Sequence, residues 1–288
     1  MTSVIPTDDK RHCKHSEVED ILKSSNVRDH PDVASEGILA TSLATNKLDY
    51  GVDAPAVMRN LFLSGALFLL FGIFAPSPLH IGPVSVASRT FLWPAGFLIA
   101  EGLLFLLYVK VGKFRHRDFM LNLHTWRGDE NVLDVGCGRG LLLAGAARRL
   151  AAASGTGHAT GIDVWSNVDM GGNSPAATQH NLDLEGVSRL CTLISQPAQE
   201  MAFPDATFDV IVSNLCLHNI YDAPTRRQAL QQIVRVLKPG GIALISDYKF
   251  TGEYADEFLQ CGLQVEKKRG SLITTFPPLT VIIARKPM

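Results

Sequence analysis

Hydrophobic and polar positions divide the chain into three unlike parts. Residues 1–48 are polar, rich in Ser, Thr, Asp, Lys and His and poor in aromatics. Residues 56–75 read AVMRNLFLSGALFLLFGIFA with no charge after Arg59, and 91–109 read FLWPAGFLIAEGLLFLLYV with Glu101 as the sole charge. About 20 helical residues cross the hydrocarbon core of a bilayer. From Asn131 onward short apolar runs alternate with segments of helical periodicity.

In that last part the pattern predicts strands over 131–135, 158–163, 190–195, 208–213, 242–246, 263–268 and 279–285. Helices are expected over 141–150, from Pro175 behind the N-cap Ser174 to about Glu185, and from Pro224 to Leu237. Phe119, Met120, Leu123 and Trp126 recur at helical spacing and predict a core-facing helix ended by Gly128 and Asp129. Strands alternating with helices imply a mainly parallel sheet covered on both faces. No helix is expected between the two closing strands, so the last should enter antiparallel.

The two apolar stretches, 56–75 and 91–111, flank a Pro-, Gly- and Ser-rich loop at 76–90 and predict a helical hairpin. Lys110, Lys113, Arg115 and Arg117 crowd after the second stretch and Arg59 opens the first, whereas the loop holds only Arg89. The positive-inside rule then places both ends in the cytoplasm, giving a two-pass membrane protein. The other reading is a hairpin that lies in the interface or caps a soluble domain. Glu101 keeps it open, because an acid at mid-bilayer depth is costly. A small-residue ridge at Gly96 and Ala100 would let Glu101 face the partner helix. Domain boundaries follow: a polar arm at 1–55, the hairpin at 56–111 and a further domain at 112–288.

Charge and cysteines narrow the picture. The 288 residues carry 27 basic and 28 acidic side chains, which argues against a broad nucleic-acid surface. The five cysteines form no CxxC pair, so no metal site is expected. His12, Cys13 and His15 read as part of a solvated tail, near a possible short helix at 17–23. The polar first 50 residues lack the apolar core of a cleavable signal peptide.

The richest chemistry sits at 132–140, VLDVGCGRG. A strand, a turn needing glycine and a helix N-terminus form a cradle for a nucleotide-like ligand. Asp163 ends the second strand, where an acid can grip a ribose diol. A dinucleotide fingerprint needs a third glycine at the place of Leu141. With the acid of TGIDVW, FDVIVSN and VLKPGGIALISD in this order, the chain from 131 to 286 resembles the class I S-adenosylmethionine (SAM) dependent methyltransferases.

The resemblance implies an α/β fold with a Rossmann-like, seven-stranded, mainly parallel sheet and SAM as cofactor. It implies that Asp134, Gly136, Gly138 and Gly140 contact the methionine part and that Asp163 holds the ribose. Val164 would pack on the adenine, Ala198 would lie beside it, and Asn214 would form the wall near the sulfonium. One departure is visible. Pro197, within Gln196-Pro197-Ala198-Gln199, occupies the place of an acid that accepts the adenine amino group, leaving Gln196 or Gln199 to substitute through an amide oxygen. His218 is the candidate general base, with a structural histidine as the other reading. Asp247 and Tyr248 rank behind it. Trp165 and the segment 169–173 could close over the cofactor, and the 271–278 loop with Phe276 could form a substrate lip or an ordinary turn. Cys216 and Cys137 read as buried wall residues. The expected function is membrane-attached methyl transfer to a small or lipid-like acceptor. A non-catalytic SAM-binding or interaction protein of the same fold is the alternative.

Overall fold

The computed structural model describes residues 47–167, 170–272 and 274–288. The expectations for the N-terminal helix and for His12, Cys13 and His15 lie outside the described residues.

Helix α1 (Pro55–Phe74) is followed by a small hairpin of β1 (Leu79–Ile81) and β2 (Val84–Val86). Residues expected to be plain loop thus pair briefly, turning at Gly82. Helix α2 (Leu92–Leu107) continues through a π-helical turn at Tyr108–Gly112 into α3 (Lys113–Leu121). With the 3-10 turn Ser88–Phe91 that precedes α2, they make one 34-residue helix, Ser88–Leu121. The boundary expected at 111/112 therefore falls inside a helix. The helix expected to run on to Trp126 stops at Leu121, where the Trp126 indole N–H donates to the Leu121 carbonyl (2.8 Å) and caps it.

Close approach of α1 and α2 is set by residues other than those expected. Gly65 lies against Ile99 and the Ala95 carbonyl, Gly72 against Leu92, and Gly102 against Phe62, each too close for a Cβ. Gly96 and Ala100 face outward, and a Cβ on Gly96 would meet nothing. The 3.6-residue period places Ala95, Ile99 and Gly102 on the contact face instead. Glu101 is half-buried.

The rest is one seven-stranded sheet. Its strands are β3 (Asn131–Val135), β4 (His158–Asp163), β5 (Cys191–Ser195), β6 (Phe208–Asn214), β7 (Leu237–Asp247), β8 (Gln264–Arg269) and β9 (Thr280–Arg285). Their order is β5-β4-β3-β6-β7-β9-β8. β9 pairs antiparallel with both β7 and β8, as the missing crossover helix required. The helices are α4 (Leu141–Ala152), α5 (Pro175–Leu184), α6 (Ala223–Val236) and α7 (Thr251–Gln260). Ser174 and Asp222 cap α5 and α6 by accepting backbone N–H groups.

The two-residue period of the strands builds two cores. Leu133, Val135, Ile211, Ala243, Ile245, Ile282 and Ala284 meet α6 and α7 on one face. Val132, Val210, Val212, Ile242, Leu244, Val281 and Ile283 meet α3, α4 and α5 on the other. Fully burying one such aliphatic side chain contributes about 1.5–3 kcal/mol. Strand order reverses between β3 and β6, and a crevice outside the carboxyl ends of these strands is where such sheets bind ligands.

Candidate active site

β3 delivers the chain into the glycine turn at that crevice. Gly136 has φ +72°, and a Cβ there would lie 2.1 Å from the Cys216 Sγ. Gly138 has φ +50°. Its N–H donates to Asp163 Oδ2 (2.8 Å), while its carbonyl accepts from Thr178 Oγ1 (2.6 Å). Gly140 follows as the N-cap of α4. The loop is thus fixed from both sides and presents the start of α4, a place suited to ligand binding.

Asp134 sits beneath the loop, 1% exposed, and neither carboxylate oxygen has a hydrogen-bond partner. Burial, reinforced by the nearby Asp163, pushes its carboxyl up to about 8, against a weak opposing pull from the Leu143 N–H. An ammonium-bearing ligand would stabilise its charged form. Asp163 itself is engaged: besides Gly138 it accepts from Trp165 N (2.6 Å) and Asn173 Nδ2 (3.3 Å). The acid at the end of β4 therefore also ties the glycine loop to the following segment. Val164, 64% exposed beside it, is free to lie on a flat ring. Trp165 turns away with φ +58°, its indole N–H on Ser195 Oγ (2.7 Å).

The adenine side differs from expectation. Gln196 Oε1 already accepts from Ala202 N (3.1 Å), so the amide oxygen is not the free atom. Its Nε2 is buried without a partner and offers a donor. Ala198 packs inward against the core.

Across the crevice, β6 ends at Asn214, whose Oδ1 is buried without a partner. Cys216 and Cys137 are packed against the glycines, and burial raises both thiols well above their usual range. Both stay protonated wall residues. His218 has its Nδ1 2.9 Å from Asp247 Oδ1, slightly off the line of a hydrogen bond. Asp247, fully buried at the end of β7, also accepts from His218 N, Tyr248 N and the Tyr254 hydroxyl. The Tyr248 ring meets the imidazole edge to face at 4.7 Å. Sequence alone left these as separate candidates; the fold brings the imidazole against the buried carboxylate.

Several partners were not singled out from sequence. A strap at 49–54 crosses the glycine loop on its way into α1. Asn181 Nδ2 donates to Asp49 O and Arg139 O, Arg139 pairs with Asp49 (2.8 Å), and the Tyr50 hydroxyl donates to Glu185 (2.6 Å). Lys113 is buried and donates to Tyr50 O (2.9 Å) and Gly51 O (2.6 Å). Met170 bridges to Asp53 and lies against Gly51 and Gly138. Thr178 and Asn181, both buried on α5, carry a signal in retrospect, being polar at i, i+3 on an inward face. The 271–278 loop is not a free turn. It is pressed beneath the long helix, with Thr274 against Gly112 and Phe276 edge-on to Phe105 at 6.2 Å. Among the described residues, no group of three or more His, Cys, Asp or Glu is placed to hold a metal.

Such a sheet, with a glycine cradle at its switch point and an acid ending the second strand, defines a class I SAM-dependent methyltransferase domain. Residues 133–245 match the family model described as Methyltransferase domain, and over this segment the chain is similar to SAM-dependent methyltransferases. It is 31% identical over 146 residues to a sterol 24-C-methyltransferase of Gibberella zeae, covering 51% of this chain and 35% of that protein. It is 33% identical over 127 residues to a demethylmenaquinone methyltransferase of Symbiobacterium thermophilum, covering 44% and 45%. The chain thus spans less than half the length of these two relatives. The solved N-methyltransferase NodS from Bradyrhizobium japonicum shares the fold at TM-score 0.50 and 17% identity, over 62% of this chain and 98% of that one.

Proposed function

We propose that the protein is a membrane-attached methyltransferase that uses SAM to methylate a lipophilic acceptor. The cofactor fits the residues present: Asp134 has two buried, unpartnered oxygens suited to an ammonium, and the glycine turn that ends in the N-cap Gly140 leads into the N-terminus of α4. When bound, SAM supplies a methyl group on a sulfonium. In this reading Asp134 meets the amino group, Asp163 the ribose, Val164 the adenine face, and Gln196 Nε2 a ring nitrogen. Asn214 walls the reacting side.

His218 would take the acceptor's proton at Nε2, since Nδ1 faces Asp247. Asp247 orients the ring and stabilises the imidazolium that forms. An acceptor with a hydroxyl or an activated carbon needs such a base; positioning supplies much of the remaining acceleration.

The observation that carries the lipophilic reading is where the hairpin ends. Phe105, Tyr108 and Val109 pack with Leu215 and Phe276 directly beside Asn214, so two helices long and apolar enough to cross a membrane lead into the crevice. Both relatives named above are named for lipid substrates, a sterol and demethylmenaquinone. The outward faces of α1 and α2 are apolar, with Leu63, Leu67, Ile73, Trp93 and Phe97 exposed. The domain faces the cytoplasm in this reading, on the side of Lys110, Arg115 and Arg117.

Incubation of the full chain in detergent micelles with methyl-labelled SAM and a total lipid extract tests this. Label should enter an organic-soluble product. Label only in water-soluble products would overturn the lipophilic acceptor. Cofactor binding with no label transferred to lipid or aqueous extracts would favour the non-catalytic reading that Pro197 motivates.

A further inference from the structure

Two buried atoms at the hairpin–sheet junction have no role in the scheme above. Asp53 Oδ2 lies at the end of the strap with no hydrogen-bond partner. Lys113 Nζ stands 3.9 Å away and directs its short bonds to the carbonyls of residues 50 and 51. Asn214 Oδ1 is the second such atom. Tyr108, 2% exposed, packs with Val52 and Ala54, which flank Asp53, and with Leu215, which follows Asn214. Buried polar atoms are normally satisfied, and both orphans here are oxygens that accept.

From this point an apolar path runs outward. Val52, Ala54 and Met58 join Phe105, Val109 and Phe276 in one cluster. One turn further along α1 lies a cleft of about 250 Å³ between the two helices, lined by Val57, Asn60, Leu61, Ser64 and Leu98. Met58 of the cluster and Val57 of the cleft are neighbours on α1, so the two lie within one turn of each other on that helix.

We propose that the hairpin supplies the acceptor site. A hydroxyl-bearing head donates its one hydrogen to Asp53 Oδ2 beside Tyr108, and the apolar body of the acceptor extends into the α1–α2 cleft. The occupant is an uncharged lipid-like molecule with an O–H on its reacting end. An anionic head would meet the carboxyls of Asp53 and Asp247, whereas an O–H donor satisfies the unpartnered Asp53 oxygen. The hairpin is then part of the active site as well as an attachment. This inference rests on the lipophilic-acceptor reading.

The test uses the full chain in micelles, labelled SAM and graded amounts of total lipid extract. Ser64→Phe fills the cleft from an outward position, and Asp53→Ala removes the head contact. Each should lower organic-phase label by more than ~tenfold at limiting extract, with recovery at higher extract for Ser64→Phe. S-adenosylhomocysteine affinity, measured by calorimetry, should stay within about twofold of wild type in both. Wild-type labelling by Ser64→Phe at limiting extract would overturn the proposal, as would loss of S-adenosylhomocysteine binding in Asp53→Ala, which would put Asp53 in the cofactor site. If the wild type labels only aqueous products, the parent reading fails instead.

Discussion

Asp134 is the residue whose state depends most on what occupies the cradle. In the unfolded chain its carboxyl titrates near 3.8, whereas in the fold burial, then Asp163, pushes it to about 8. A raised acid costs nothing below the lower value. Stability falls as pH rises between the two, and the full penalty is present above about 8. A bound ammonium reverses this, so S-adenosylhomocysteine binding should release a proton below pH 8 and tighten as pH rises toward it. Calorimetry in buffers of different ionisation heat reads that release, and Asp134→Asn should abolish it. His218→Ala and Asp247→Asn should each lower turnover by roughly 10²–10⁴-fold while leaving S-adenosylhomocysteine affinity near wild type; equal turnover would return His218 to a structural role. At this scale the cradle was legible because glycines and acids at strand ends have a local cause. The His218–Asp247 pair was not, since residues 29 apart meet only through the β6–β7 pairing. The engagement of the Gln196 amide was hidden for a similar reason: its Oε1 accepts from Ala202 N–H, six residues on.

Among the elements, the helix that crosses the expected domain boundary does most to shape the site. Its π turn at Tyr108–Gly112 brings Tyr108, Val109 and Gly112 onto the domain, and a Cβ on Gly112 would lie 1.7 Å from the Thr274 carbonyl. Gly112→Ala should therefore destabilise the junction by about 1–3 kcal/mol, seen as faster hydrogen exchange at 271–278. Lys113 holds the strap over the glycine loop; Lys113→Met should raise exchange at 49–54 and weaken cofactor binding without altering the sheet. Unchanged exchange would show that the Asn181 and Arg139 contacts suffice. The strands and most helices were legible from two- and 3.6-residue periods. Helix α7 was not expected, although Tyr254, Ala255 and Phe258 bury one face, because Gly252 and the three acids Glu253, Asp256 and Glu257 mask a short amphipathic stretch. The continuous helix was hidden by Lys110, Lys113, Arg115 and Arg117. These read as a cytoplasmic flank, but Lys113 is turned inward to hold the strap.

At the scale of the whole molecule, a cofactor domain and an apolar hairpin share one helix and one crevice. The hairpin's two apolar stretches were plain in the sequence, but their junction with the 271–278 loop was not, because it joins segments more than 160 residues apart. If the hairpin spans, the protein should stay with membranes through carbonate extraction; release at high pH would favour an interfacial hairpin. The central claim is that the glycine cradle is a SAM site in this chain. Titrating S-adenosylhomocysteine into the full-length protein in micelles tests it most directly, with Asp163→Ala alongside. Saturable one-to-one binding, weakened in Asp163→Ala, is the predicted result; absence of binding to the folded wild-type protein would contradict it.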